Sequence, residues 1–287
     1  MEPQTLSSPI VQNFISTRKS TSRKGDNGIV LVIGGSYIYH GAPVLSSLAA
    51  LRCGTDLVYT CVPKINVTPT RAISPNLIVI PLVDQKLTLG AVKKLVGALP
   101  RNLHSATIGM GLAIQEKNSL LHLVKSLLDR DVRLSLDASA LIPEILPILA
   151  HKNVVVTPHA GEFKRLFGDV PSDSNLERIK LVEENALKHG ITILLKGSTD
   201  IISDGKITYL CEKNTPAMTV GGTGDVLSGL VAGLLSTNRN TLESAAAASY
   251  ICGLAGKEVQ EKLGLHITSM DLIDSIPSVM KPFDKII

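Results

Sequence analysis

Tryptophan is absent from this chain of 287 residues, and aromatics of all kinds make up only 3% of it. So few flat side chains leave no base-stacking platform of the kind single-stranded nucleic acids require. An excess of one charge is also missing, because 29 Lys+Arg stand against 25 Asp+Glu for a net of +4. Nor do like charges form a block, which argues against the clustered basic stripe of a nucleic-acid protein. The apolar run Val226 to Leu235 stops at Ser236-Thr237-Asn238-Arg239, about half the ~20 residues of a membrane span. Met1 to Ser20 mixes Pro, Ser, Gln and Arg without the apolar stretch of a secretory leader. Cys53, Cys61, Cys211 and Cys252 are scattered, with no CxxC pair or His/Cys cluster. That spacing points to free thiols in a reducing compartment, not to zinc or disulfides. The expectation is a cytoplasmic protein with no nucleic-acid or membrane partner.

What the chain does contain is strand–helix alternation. Continuously apolar runs at Ile29–Ile33, Asp56–Cys61, Leu77–Ile80, Ala106–Ile108, Val132–Leu136, Val154–Thr157 and Ile191–Leu195 suit parallel strands covered on both faces. Between them lie helix-period stripes, such as Leu120, Leu121, Val124, Leu127 and Leu128. Another stripe, Val44, Leu45, Leu48, Ala49 and Leu51, opens on Pro43 and closes at Gly54. Asp204-Gly205 between two β-rich runs is a hairpin signal, so antiparallel strands are expected at one edge. Past Gly221 the pattern is helical to the end. These features predict an α/β fold: a wound, mostly parallel sheet flanked by helices, with antiparallel edge strands. Residues 25–287 read as one domain, preceded by an extension over 1–24 with a short helix. In such folds ligands sit beyond the carboxyl ends of the strands.

Five loops carry the chemistry. Gly221-Gly222-Thr223-Gly224-Asp225 runs straight into the apolar helix that starts at Val226. A glycine run entering a helix leaves main-chain N–H groups unpaired beside the positive helix end, which suits phosphate oxygens. Asp225 is then either a helix cap or a general base taking a proton from an alcohol, and spacing does not choose between these. Thr157-Pro158-His159-Ala160-Gly161-Glu162 follows a strand directly, with Glu162 in the first helical turn, and His159 reads as a ligand contact or an incidental part of a surface cap. Lys196-Gly197-Ser198-Thr199-Asp200 places a lysine at a strand end, either toward a nucleotide phosphate or snorkelling into solvent. Gly34-Gly35-Ser36 with Tyr39 and Gly41-Ala42, and Gly109-Met110-Gly111-Leu112, complete the set.

Together with Lys24-Gly25 and Asp137-Ala138-Ser139-Ala140-Leu141, these motifs resemble the ADP/ATP-dependent NAD(P)H-hydrate dehydratases of the ribokinase-like superfamily, from about Lys24 to the C-terminal helices. The resemblance implies nicotinamide nucleotide repair: a phosphoryl group passes from ADP or ATP to the hydroxyl of hydrated NADH or NADPH, and phosphate then leaves. It implies Asp225 as catalytic base and substrate contact, and Ala42, Gly111 and His159 along the substrate site. Lys196, Gly197, Ser198, Thr199, Asp200, Gly222, Thr223 and Gly224 would bind the nucleotide. Retention of His159 and Gly224 favours ADP as donor. Mg²⁺ is expected, with no protein ligand assigned to it. A separate epimerase and a homo-oligomeric assembly are also expected.

The chain departs from the family pattern at Asn214-Thr215-Pro216-Ala217-Met218, usually Gly-Asn-Pro-Gly-Met, and at Met110, Ala113 and Ser139. Two alternatives remain open on the motifs. One is a small-alcohol kinase for a hydroxymethylpyrimidine, thiazole or sugar, which accounts for Gly224-Asp225 but not for His159-x-Gly161-Glu162. The other is a catalytically silent nucleotide-binding regulator.

Overall fold

The apolar runs become a ten-stranded sheet in the computed structural model, which describes residues 2–171, 174–213 and 215–287. Asn214, in the divergent segment, lies outside the described residues. The strands are β1 (Gln4–Thr5), β2 (Ile29–Ile33), β3 (Leu57–Pro63), β4 (Ile78–Leu82), β5 (Ser105–Ile108), β6 (Arg133–Leu136), β7 (Val154–Val156), β8 (Thr192–Leu195), β9 (Thr199–Ser203) and β10 (Thr208–Glu212). Their order is β1-β10-β9-β8-β7-β6-β5-β2-β3-β4.

From β8 to β4 every pairing is parallel. The Asp204-Gly205 turn makes the expected hairpin, β9 pairing antiparallel with both β8 and β10. The edge itself was not legible: Gln4 and Thr5 pair parallel with Tyr209 and Leu210 outside β10. Two polar residues carry no strand period, so only the neighbouring edge reveals them.

The helices are α1 (Ser8–Phe14), α2 (Ala42–Arg52), α3 (Val67–Ile73), α4 (Leu89–Ala98), α5 (Lys117–Leu128), α6 (Leu146–Leu149), α7 (Ala160–Phe167), α8 (Asn175–His189), α9 (Thr223–Thr237), α10 (Thr241–Leu263) and α11 (Ser269–Met280). Alternation along the strands splits the core in two. Val154, Val156, Ile193 and Leu195 join the layer of α4, α5, α7 and α8. Val155 and Leu194 join that of α1, α9, α10 and α11. On the second face α2 lies against α9 so closely that a Cβ on Gly229 would run into the main chain of Ser46. Close approach explains a departure from the expected stripe: α2 buries Ser46, Ser47, Ala49 and Ala50, while Leu45, Leu48 and Leu51 are only half-buried. The serine hydroxyls are satisfied, Ser46 donating to the Asp225 carbonyl at 2.7 Å and Ser47 to that of Pro43 at 2.7 Å.

Strand order reverses between β2 and β5, since β3 and β4 lie to one side of β2 and β5 to β8 lie to the other. A crevice opens at such a reversal because the loops leaving the two strands turn opposite ways.

Candidate active site

The crevice between β2 and β5 is lined by two of the glycine loops. Gly35 takes a positive φ of 87° and donates its N–H to the Met110 carbonyl at 2.9 Å. Gly111, with φ of 63°, faces Tyr39 so closely that an added Cβ would sit 2.6 Å from the tyrosine Cβ and 3.3 Å from that of Ala42. Ala42 and Gly111 therefore share one wall. Beside them Tyr37, Ile38 and Tyr39 stand 70%, 74% and 63% exposed, an apolar ridge at the lip of the crevice.

Gly221 to Asp225 do not leave a parallel strand directly, as the other four loops do. They follow β10 through a 3₁₀ turn at Pro216–Thr219 and enter α9. Gly222 caps α9 with φ of 94°, a conformation costly for any residue with a Cβ. An added Cβ there would also meet Ser269 Oγ at 2.6 Å. Ser269 holds the loop from α11, its hydroxyl donating to the Gly221 carbonyl at 2.7 Å. Because the first helical bond runs from Val226 to Gly222, the N–H groups of Thr223, Gly224 and Asp225 have no acceptor within the helix. Among the described residues, no side chain caps them.

Asp225 is thus not the helix cap, and its carboxyl faces a cluster of charge. Burial is the main cause that pushes its pKa up, to about 7. The Asp137 and Glu162 carboxylates add to the rise, and Lys196 opposes it. Lys196 Nζ lies 2.9 Å from Asp137 Oδ1 and 3.6 Å from Glu162 Oε2. Burial presses the ammonium toward neutrality, but Asp137 and then Glu162 outweigh it and hold the lysine above its ordinary pKa. Neither snorkelling nor a free phosphate hook describes Lys196; it is the shared counter-ion of two carboxylates, and it also borders Gly224. The His159 cap is confirmed. Its Nδ1 accepts from the N–H of Gly161 and Glu162 at 3.0 and 3.3 Å, while Glu162 Oε2 accepts from the His159 N–H at 2.9 Å. Such a box orients Glu162 toward Lys196, and the half-exposed His159 ring also brings its Nε2 to 3.5 Å from Glu162 Oε1.

A cavity of about 610 Å³ adjoins the α9 loop, within the range of nucleotide-sized sites. Lys196, Gly197, Ser198, Asp200, Thr223 and Gly224 line it. Thr199 and Gly222, next in the chain to these residues, do not line it. Asp200 is fully buried, accepting from the Gly197 N–H at 3.0 Å, Ser249 Oγ at 2.7 Å and Lys213 Nζ at 2.6 Å. Its carboxylate therefore shapes the loop. Lys213, Thr215, Pro216, Met218, Thr219 and Leu227 complete the lining; Thr215, Pro216 and Met218 belong to the divergent segment, and none of the six had an assigned role in the sequence. Only the fold brings the strand after the Asp204-Gly205 hairpin alongside α9, so no local signal marked them. Asp137 and Glu162 appeared in motifs without a role, for the same reason.

Comparison with known proteins gives one consistent result. The model of a family described as NAD(P)H-hydrate dehydratase matches residues 30–278. An ADP-dependent (S)-NAD(P)H-hydrate dehydratase of Nitrosopumilus maritimus is 79% identical over 286 residues, covering 100% of both chains. Its counterpart from Cenarchaeum symbiosum is 64% identical over 96% of each chain. Among solved structures, an ADP/ATP-dependent NAD(P)H-hydrate dehydratase from Bacillus subtilis, co-crystallised with ATP and Mg²⁺, superposes with a TM-score of 0.85 at 25% identity. That match covers 99% of this chain and 100% of the other.

Proposed function

The chain belongs to the NAD(P)H-hydrate dehydratase family, and we propose that it uses ADP to return hydrated NADH and NADPH to their working forms. One observation carries the mechanism: a carboxyl with a pKa of about 7 beside unpaired helix amides and a nucleotide-sized cavity. The substrate carries a hydroxyl on a saturated ring carbon, and hydroxide is a poor leaving group. Asp225 takes the hydroxyl proton as the oxygen attacks the terminal phosphoryl group of ADP, forming a new P–O bond and releasing AMP. A base poised near neutrality suits this step. The N–H groups of Thr223 and Gly224 hold the transferring oxygens, and Lys196 adds positive charge where they gather. The ring nitrogen's lone pair then expels phosphate by breaking the C–O bond. Loss of a proton from the adjacent carbon restores the double bond.

The substrate ring lies against Asp225, with the rest of the dinucleotide along Ala42, Gly111 and His159. ADP takes the cavity beside Lys196 to Thr199 and Gly222 to Gly224. For Mg²⁺, no group of three or more His, Cys, Asp or Glu side chains among the described residues forms a cage, and Lys196 already engages Asp137 and Glu162. The ion would travel with the phosphates and water, and no step above is routed through it. Because the relatives' name specifies the S form, an epimerase that interconverts the two hydrates would feed this reaction. The kinase and the silent-regulator readings are not favoured, given full-length identity of 79% to a dehydratase.

The test is recovery of reduced-nicotinamide absorbance from hydrated NADH with ADP and Mg²⁺. No recovery with either ADP or ATP overturns the reading, and a stable phosphorylated product without elimination points to a kinase.

A further inference from the structure

A second cavity, of about 550 Å³, opens at the opposite end of the sheet, where β2, β3, β5 and β6 begin. Leu234, Ser236 and Thr237, in the last turn of α9, also line it. A helix of 15 residues puts this cavity roughly 20 Å from the α9 glycine loop. Its walls carry Arg18, Arg52, Arg133, Arg239, Lys281 and Lys285, against Asp26 and Asp284. Arg52 is paired with Asp274 at 3.5 Å. Arg18 and Lys285 donate only to neutral main-chain carbonyls, of Gly54 and of Gln12 and Ile15. Arg239 and Lys281 are exposed and make no ion pair among the described residues.

Arg133 is the informative member. It is only 8% exposed, yet among the described residues the one hydrogen bond of its side chain runs from Nε to the His104 carbonyl at 3.0 Å. No described carboxylate lies within 4 Å of its guanidinium. A buried cation without a counter-ion is costly unless something of opposite charge joins it. Burial and then the neighbouring Arg239 pull its pKa below the usual arginine value, and Asp131 opposes them. His104 accepts the Ile29 N–H on Nδ1 at 3.0 Å, which places its own ring proton on Nε2 as a further donor. Leu234, Pro277 and Met280 add apolar wall for a carbon skeleton.

We propose that this cavity binds a phosphorylated small molecule with two linked phosphates. Arg133 and His104 hold one phosphate within the cavity, and Arg239 with Lys281 hold the other from its exposed side. Arg forks match phosphate oxygens in pairs, which is why guanidinium clusters select this group over a single point charge. The site is separate from the catalytic one, and the proposal does not rest on the dehydratase reading.

The test is calorimetric titration of the full chain with inorganic pyrophosphate in magnesium-free buffer. Arg239→Ala and Lys281→Ala, both at exposed positions, should each weaken binding about tenfold or more, whereas Lys196→Met in the α9 site leaves it intact. Arg133→Gln should abolish it. The proposal is overturned if the parent takes up no pyrophosphate, or if both exposed variants bind it as the parent does.

Discussion

Asp225 occupies the first turn of α9 with its pKa pushed up to about 7, chiefly by burial. A carboxyl of ordinary pKa would be a weak base there; this one is half-ionised near neutrality. Accordingly kcat/KM should rise through about pH 7 to a plateau, and Asp225→Asn should lose activity on the order of 10²-fold or more while ADP titrates as in the parent. Stability should move the other way. A raised pKa means the native state holds the proton after the unfolded chain has lost it, so the contribution is intact at low pH and lost as pH climbs through 7. Asp225→Asn should therefore match the parent below about pH 4 in urea unfolding and exceed it at pH 8 by on the order of 1–3 kcal/mol.

Lys196 supplies a second check on the same cluster. Removing it in Lys196→Met strands the buried Asp137 carboxylate, at a cost on the order of 2–4 kcal/mol. It also removes the charge that lowers Asp225, so the activity limb should shift to higher pH and ADP affinity should fall. An unchanged ADP titration would remove Lys196 from the nucleotide site.

Among the elements, α2 and α9 set the geometry of the α9 loop. Their approach depends on Gly229, where any Cβ meets the Ser46 main chain, and on the Ser46 hydroxyl, which holds the Asp225 carbonyl at 2.7 Å. Gly229→Ala should force the helices apart and lower stability by roughly 2–3 kcal/mol. Because the displaced helix carries Asp225, activity should fall with it, measured by thermal melting alongside turnover. In the sequence Gly229 reads only as a weak point within an apolar helix; its partner is 183 positions away at Ser46. Asn66 shows the same blindness in reverse: it heads a glycosylation-like Asn66-Val67-Thr68, yet its side chain is buried and donates to the Ser36 carbonyl at 2.8 Å.

For the molecule as a whole, the N-terminal segment closes both an edge and a core. Gln4 and Thr5 extend the sheet beside β10, while Leu6, Val11, Phe14 and Ile15 are buried against the α9 and α10 layer. Deleting residues 1–15 should unpair that edge and expose apolar surface, so the truncated chain should melt lower and self-associate, which light scattering would register. Among the described residues, no helix is long and apolar enough to cross a membrane.

Strand–helix alternation, the Asp204-Gly205 hairpin and the glycine loops were all legible in the amino-acid order, because period, turn chemistry and helix entry are local properties. They were enough to place the residues of the candidate site in loops after strands or at a helix start, and to suggest a family. Which carboxylates surround Asp225, why Lys196 is occupied and Asp200 buried, and where Arg133 lies without a counter-ion were not readable there. Those facts depend on burial and on charges brought together from β6, α7, β8 and α9, and electrostatic energy depends on distance in space and on the exclusion of water. Chain order reports neither.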